Sequence, residues 1–248
     1  MRYGERMKTS ALAALMLAAL NTWATDRLEP IDLRDVKVGG EFGRRIAITV
    51  TNNLFRLDAD RDFLTPFREK TGKTGYIGLG KLIDATVKLA AYSGDARLIA
   101  LKRHLVEELL KTQEPDGYMG TFPPDQRIKT LWDVSEVGYL IGGLVSDHRF
   151  FGERPSLAAA RKAADYIVNN WSALPPDWVA GDGVALDVGL VGIERNMLSL
   201  YQATGEPAYL DFVVKTRKLP EWDAPIVIGR KPGIEGHVYG YLAICLAQ

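Results

Sequence analysis

A short junction recurs three times along this chain. Tyr92 to Leu98 reads YSGDARL, Phe150 to Leu157 reads FFGERPSL and Ala203 to Leu210 reads ATGEPAYL: a glycine, an acidic residue, spacers and a leucine. The glycines, Gly94, Gly152 and Gly205, lie 58 and then 53 residues apart, the length of one helix pair with its outer loop. A glycine can end a helix in the left-handed conformation, and an acidic residue directly after it can cap the next helix. Pro155 and Pro207 then fall in a first turn, where proline is tolerated.

The intervening residues have the helical period. Leu82, Ile83, Thr86, Leu89 and Ala90 share one face, and Leu98, Leu101, Leu105 and Leu109 form a second stripe that pairs with it. Helical hairpins are therefore expected at 76–113, 133–171 and 186–218, with a fourth opening at His237. Hairpins repeated at this spacing stack as a solenoid or close into a toroid of inner and outer helices. The expected fold is all-α, an incomplete toroid over residues 68–248. Before it, Val36 and Val38, then Ile46, Ile48 and Val50, alternate as in extended chain, so residues 25–67 are expected to form an extended lead-in arm. The last residues, Ala243 to Gln248, sit in an apolar helical pattern without a capping residue, which suggests a piece of a longer protein. An open toroid exposes an apolar edge, so self-association through that edge is expected.

With 31 basic and 31 acidic residues the formal net charge is zero, and no basic stripe of the kind nucleic acid requires is present. The first 24 residues read as a secretion signal, with Arg2, Arg6 and Lys8 ahead of the apolar run Thr9 to Leu20 and a small-residue site at Thr22-Trp23-Ala24. The expected location is secreted or periplasmic, without membrane contact once the signal is cleaved; an uncleaved anchor is the alternative. The lone Cys245, inside an apolar stretch, is expected to be a buried thiol, and His104, His148 and His237 are too far apart to suggest a metal site.

Polar and aromatic groups concentrate in the loops opposite the recurring junctions. In Glu114-Pro115-Asp116-Gly117-Tyr118 the Pro-Asp-Gly order specifies a tight turn. That loop either simply ends a helix, or offers Gln113 and Asp116 to sugar hydroxyls and Tyr118, Phe122 or Trp132 to a sugar face. Asp133 and Glu136 share a helix face and could divide into acid and base. They also fit a capping box, with Asp133 as the N-cap and Glu136 reaching back. Glu194 lies beside the stripe of Ile193, Met197, Leu200 and Tyr201, where it could pair with a basic group or meet a ligand. His237, at the start of a helix, could face the loop side.

The order and spacing of several motifs resemble glycoside hydrolase family 127, the β-L-arabinofuranosidase type. These are Gly-Leu-Gly-Lys-Leu-Ile-Asp-Ala at 78–85, Lys-Thr-Gln-Glu-Pro-Asp-Gly-Tyr-Met-Gly-Thr-Phe at 111–122, Leu-Trp-Asp-Val-Ser-Glu at 131–136, Gly-Ile-Glu-Arg-Asn-Met-Leu-Ser-Leu-Tyr at 192–201 and Glu-Gly-His-Val-Tyr at 235–239. The resemblance implies an (α/α)6 barrel followed by β-sandwich domains. It also implies retaining hydrolysis by a zinc-bound cysteine with a glutamate acid/base. Those family residues would follow Gln248, so no cofactor is expected within this chain, zinc is expected in longer relatives, and this chain alone is expected to hydrolyse little. Ser135, and Leu190 with Val191, stand where many members carry histidines, while His237 keeps a family-like sugar-contacting histidine. On this reading the partner is a carbohydrate, held by Gln113, Asp116, Tyr118, Trp132, Glu136, Glu194 and His237. The alternatives are a non-catalytic carbohydrate-binding or scaffold protein on the same partial toroid, and a toroidal epimerase or uronyl hydrolase using only carboxylates or histidines.

Overall fold

The computed structural model describes residues 31–72, 75–171, 193–217, 219–221, 242 and 245–247. The secretion signal, the region 186–192, and the hairpin expected from His237 lie outside the described residues, apart from Leu242 and 245–247. Eight α-helices are described: α1 Gly40–Asn52, α2 Thr65–Glu69, α3 Leu79–Ser93, α4 Ala96–Leu110, α5 Leu131–Phe151, α6 Arg154–Trp171, α7 Ile193–Thr204 and α8 Pro207–Asp211. The last runs on as a wider helical turn, Phe212–Thr216, and no strand occurs among the described residues.

The three recurring junctions are where they were expected. Gly94, Gly152 and Gly205 have φ of 67°, 72° and 70°, and each donates its N–H back to the preceding helix, to Ala90, His148 and Tyr201. Glycine reaches this left-handed region without the Cβ penalty that other residues meet. After Gly94, the Asp95 side chain accepts the N–H of Arg97 at 2.8 Å and caps α4. Each junction thus reverses the chain in two residues and produces the hairpins α3–α4, α5–α6 and α7–α8.

Helices α3, α5 and α7 lie side by side in a central row. Their register follows from the residues that touch. Along α3 and α5, Gly80 meets the backbone of Tyr139 and Leu140, and further on the Ser146 hydroxyl donates to Asp84 at 2.5 Å. Along α5 and α7, Gly138 meets Ile193 and Gly142 meets Asn196. Both contact sequences advance together, so the three helices run parallel. α5 is central and its described side chains are buried on nearly every face, which accounts for its run of apolar residues and glycines.

Helices α4, α6 and α8 flank this row. Leu82, Ile83, Thr86 and Ala90 of α3 are buried, as are Leu98, Leu105 and Leu109 of α4, while Leu89 and Leu101 of the two expected stripes are half-buried against the core. The inward face of α6 is built of Ala159, Ala160, Ala163 and Ala164. Each fully buried leucine or isoleucine contributes roughly 1.5–3 kcal/mol, so these stripes dominate the stability of the hairpins. A polar lock lies inside the same core. Lys102 of α4, almost fully buried, donates to Asp147 of α5 at 2.8 Å, and Ser156 of α6 donates to the other oxygen of Asp147 at 2.6 Å.

Over the described residues 31–67 the chain is not one extended arm: Gly40–Asn52 is helix α1, and helical turns follow it up to α2. The inward positions of α1 are Gly43, Ile46 and Val50, spaced for a helix, while Ile48 and Phe42 point to solvent. Three alternating β-branched residues imitated a strand, but burial follows the 3.6-residue period. The segment is held to the hairpins by Lys37 and Val38, which donate to Tyr92, and by Arg68, which bridges Asp60 and Glu108. Cys245 also departs from expectation. It is exposed, in a single turn where Leu242 and Leu246 are exposed as well, so the apolar stretch does not enclose the thiol.

Gly80→Ala is expected to destabilise the chain by at least about 1 kcal/mol. Alanine adds helix propensity, but its Cβ would lie 2.3 Å from the Tyr139 backbone, and overpacking of about 1–3 kcal/mol outweighs the gain. Lys102→Ala leaves the Asp147 carboxylate buried without its cation and should cost about 3–5 kcal/mol in a urea melt. Lys102→Met with Asp147→Leu should recover most of that loss.

Candidate functional site

The parallel central row brings the N-termini of α3, α5 and α7 to one end, opposite the glycine junctions. The long loop 111–130 also lies at this end, because it carries the chain from the last turn of α4 to the first turn of α5. Gly117 turns that loop at φ 98°, and a Cβ there would lie 2.4 Å from the carbonyl oxygen of Lys162, so only glycine fits between the loop and α6.

Most of the loop's polar groups hold the loop itself. Gln113 donates its amide to the carbonyls of Gly117 and Ala159, at 3.0 and 2.9 Å. Asp116 accepts from the Tyr118 backbone and from the Arg127 guanidinium, which also binds Glu114. Tyr118 is completely buried, so its ring cannot offer a face to a sugar in this conformation. That ring lies 5.3 Å from Tyr166, with the Arg127 guanidinium 4.2 Å from its centroid and the Lys70 ammonium 5.6 Å away. Its hydroxyl accepts from the Phe122 N–H and donates to Asp133 Oδ1 at 2.7 Å. Burial raises the pKa of the Tyr118 hydroxyl strongly, so it serves as a donor at any ordinary pH.

Asp133 is not the N-cap of α5. Thr130 is, accepting the Asp133 N–H on its side chain. The Asp133 carboxylate instead accepts from Tyr118 and, at 2.6 Å, from the N–H of Ile128. Ile128 has φ 51°, an unfavourable region for a β-branched residue, and this hydrogen bond helps hold it there. Burial pushes the Asp133 pKa up to about 6, against the opposing pull of its two donors.

Glu136, one turn further along α5, serves a different partner. Its Oε1 accepts the N–H groups of Ile77 and Gly78, at 2.9 and 2.6 Å. Gly78, the N-cap of α3, has φ 87° and no side chain to cap with, so a carboxylate from the neighbouring helix does so. Glu136 Oε2 is buried and has no hydrogen-bond partner among the described residues. Burial raises the Glu136 pKa, opposed by the backbone donors and by the charge of Lys81. The two carboxylates therefore take their hydrogen bonds from different segments, Asp133 from the loop and Glu136 from the start of α3.

Around Glu136 stands an aromatic cluster that sequence reasoning missed apart from Trp132. The Tyr76 and Trp132 rings are 6.2 Å apart, and the Lys81 ammonium lies 4.9 Å from the centroid of Tyr76 and 4.3 Å from that of Tyr139. Tyr76 is 42% exposed, while Trp132 and Tyr139 are half-buried. The usable signal was position: Lys81 and Tyr139 fall outside the buried stripes near the start of central helices. Glu194 is not in this cluster; buried in α7, it accepts from Arg217 at 2.8 Å. His237 lies outside the described residues. Among the described residues no three His, Cys, Asp or Glu side chains gather as a metal site.

Comparison with known proteins gives one family and one fold. The family model of the β-L-arabinofuranosidase, GH127 catalytic domain, matches residues 54–219. Among solved structures, a GH127 β-L-arabinofuranosidase from Geobacillus stearothermophilus superposes with a TM-score of 0.58 at 24% identity, covering 75% of this chain and 32% of that one. A second GH127 β-arabinofuranosidase superposes at 0.60 and 21% identity, covering 88% of this chain and 40% of the other. The chain thus spans well under half the length of these two structures. No curated protein matches it with significance.

Asp133 makes a pH prediction. An acid whose folded pKa is raised adds stability below its unfolded pKa, and that stability is lost as pH rises through the folded value. Between pH 4 and 7 the wild type should lose about 2 kcal/mol relative to Asp133→Asn, most of the shift from 3.8 to about 6 expressed as free energy. Urea melts of both proteins at several pH values read this difference directly.

Proposed function

Because the chain belongs to the family of β-L-arabinofuranosidase GH127 catalytic domains, we propose that it forms the carbohydrate-holding part of such a catalytic unit, acting on glycans outside the cytoplasm. The observation that carries this reading is the Tyr76, Trp132 and Tyr139 cluster around the Glu136 carboxyl, at the end where α3 and α5 begin. One exposed and two half-buried aromatic rings beside a buried carboxyl suit a sugar, whose C–H face packs on a ring while its hydroxyls seek acceptors. A neutral overall charge agrees with an uncharged glycoside as partner. The first 24 residues support export. Among the described residues, no helix is long and apolar enough to cross a membrane.

On this reading the described residues bind and orient, and bond cleavage is left to groups outside them. Asp133 holds the loop and Glu136 holds the start of α3, so neither stands ready as the partner of a nucleophile. Loop 111–130 contributes rigidity: Arg127 braces it internally through Asp116 and Glu114, and Gln113 ties it to α6, which fixes the entry of α5 and hence Trp132.

Calorimetric titration of the full chain with methyl β-L-arabinofuranoside and arabinose-containing oligosaccharides tests the proposal. Binding in the millimolar range or tighter, about −4 kcal/mol or better, is expected, with little release of the aglycone from an aryl arabinofuranoside. Absence of binding to every arabinose-containing sugar would overturn it.

A further inference from the structure

Glu136 has two oxygens with very different surroundings. Oε1 accepts the N–H groups of Ile77 and Gly78. Oε2, in a side chain only 4% exposed, has no partner among the described residues. A buried acceptor without a donor costs about 1–3 kcal/mol, more when charged, and native proteins rarely leave one unless it meets something the free protein does not supply.

The surroundings indicate what could supply it. The Tyr76–Ile77 peptide that donates to Oε1 also carries Tyr76, so Glu136 fixes the root of that aromatic side chain. The Tyr76 ring folds back over Gly78, where a Cβ would lie 2.9 Å from the ring edge; any side chain at 78 would push the ring away. Trp132, four residues before Glu136 on α5, faces Tyr76. One carboxyl therefore holds the root of a ring platform with one oxygen and keeps the other buried without a hydrogen-bond partner among the described residues.

Building on the glycoside reading above, we propose that Glu136 is the specificity-determining residue of this site: Oε2 accepts a hydrogen bond from one hydroxyl of the bound sugar while Oε1 holds Tyr76 in place to receive the ring. Oε2 is closed to solvent in this conformation, so the hydroxyl reaches it by displacing a side chain. The site takes neutral sugars that present a hydroxyl at the edge of the face packed on Tyr76, and rejects analogues lacking it, because they would leave the carboxyl buried and unmatched.

The test uses the full chain, methyl β-L-arabinofuranoside, and its 2-, 3- and 5-deoxy analogues. In Glu136→Gln the amide oxygen still accepts from Ile77 and Gly78, so the variant should melt close to the wild type. Its affinity for the parent sugar should fall tenfold or more, because an N–H group replaces the acceptor. One deoxy analogue should bind wild type and Glu136→Gln equally, identifying the hydroxyl involved. Tyr76→Ala should also weaken binding without unfolding the chain, whereas Glu136→Ala, which removes the cap of α3, should lower the melting temperature. If Glu136→Gln binds the parent sugar within twofold of wild type while Tyr76→Ala loses it, the role of Glu136 is overturned and the glycoside reading stands. If the wild type binds none of these sugars, both fall.

Discussion

The contact between α3 and α5 is the constraint on which the rest depends. Two helices approach until Gly80 touches the backbone of Tyr139, and Gly143 meets the carbonyl of Gly80 from the other side. At that distance the start of α3 lies beside the second turn of α5, within reach of Glu136. Helix α3 has no capping side chain of its own, so its first N–H groups find their acceptor on α5. Close packing and the cap require each other: larger residues at the contact would carry the carboxylate out of reach, and without the carboxylate the buried N–H groups would be unmatched.

From this contact the central row extends in both directions. Gly138 and Gly142 present a second smooth face of α5 to α7, and the Lys102, Asp147 and Ser156 lock ties the flanking helices to the same α5. A buried ion pair is a weak source of net stability, since desolvation offsets most of the attraction. It does penalise any arrangement in which α4, α5 and α6 slide out of register. The loop before α5 follows the same logic: Tyr118, Asp133 and Arg127 form a small polar core that sets where Trp132 enters.

Much of the candidate site was visible as a concentration of unusual residues, but their roles were not. Gln113, Asp116 and Tyr118 belong to one cluster, as their spacing suggested. Their partners, Ala159 of α6, Arg127 further along the same loop and Asp133 of α5, give all three a supporting role that no local pattern announced. Glu194 could pair or bind, and Arg217, 23 residues on, decided for pairing. The capping box at Asp133 was a sound local pattern displaced by a better cap, Thr130, one residue before the helix. Tyr76, Lys81 and Tyr139 went unremarked, because a tyrosine beside a glycine and a lysine on a helix carry no local mark of facing one another.

The sequence by itself determined the hairpins, since glycine ends, acidic or proline starts and apolar stripes act over a few residues, with energies set by backbone conformation and side-chain period. It determined the family as well, because ordered motifs survive in one dimension. Only the tertiary structure decided that residues 40–52 are helical, that Tyr118 is inside, and that Glu136 binds Gly78, 58 residues away, while keeping one oxygen unmatched. Those outcomes rest on which surfaces meet and which polar groups lose water when they do. Desolvation and hydrogen bonding between distant residues have no period and no spacing, so they become legible only once the chain is folded.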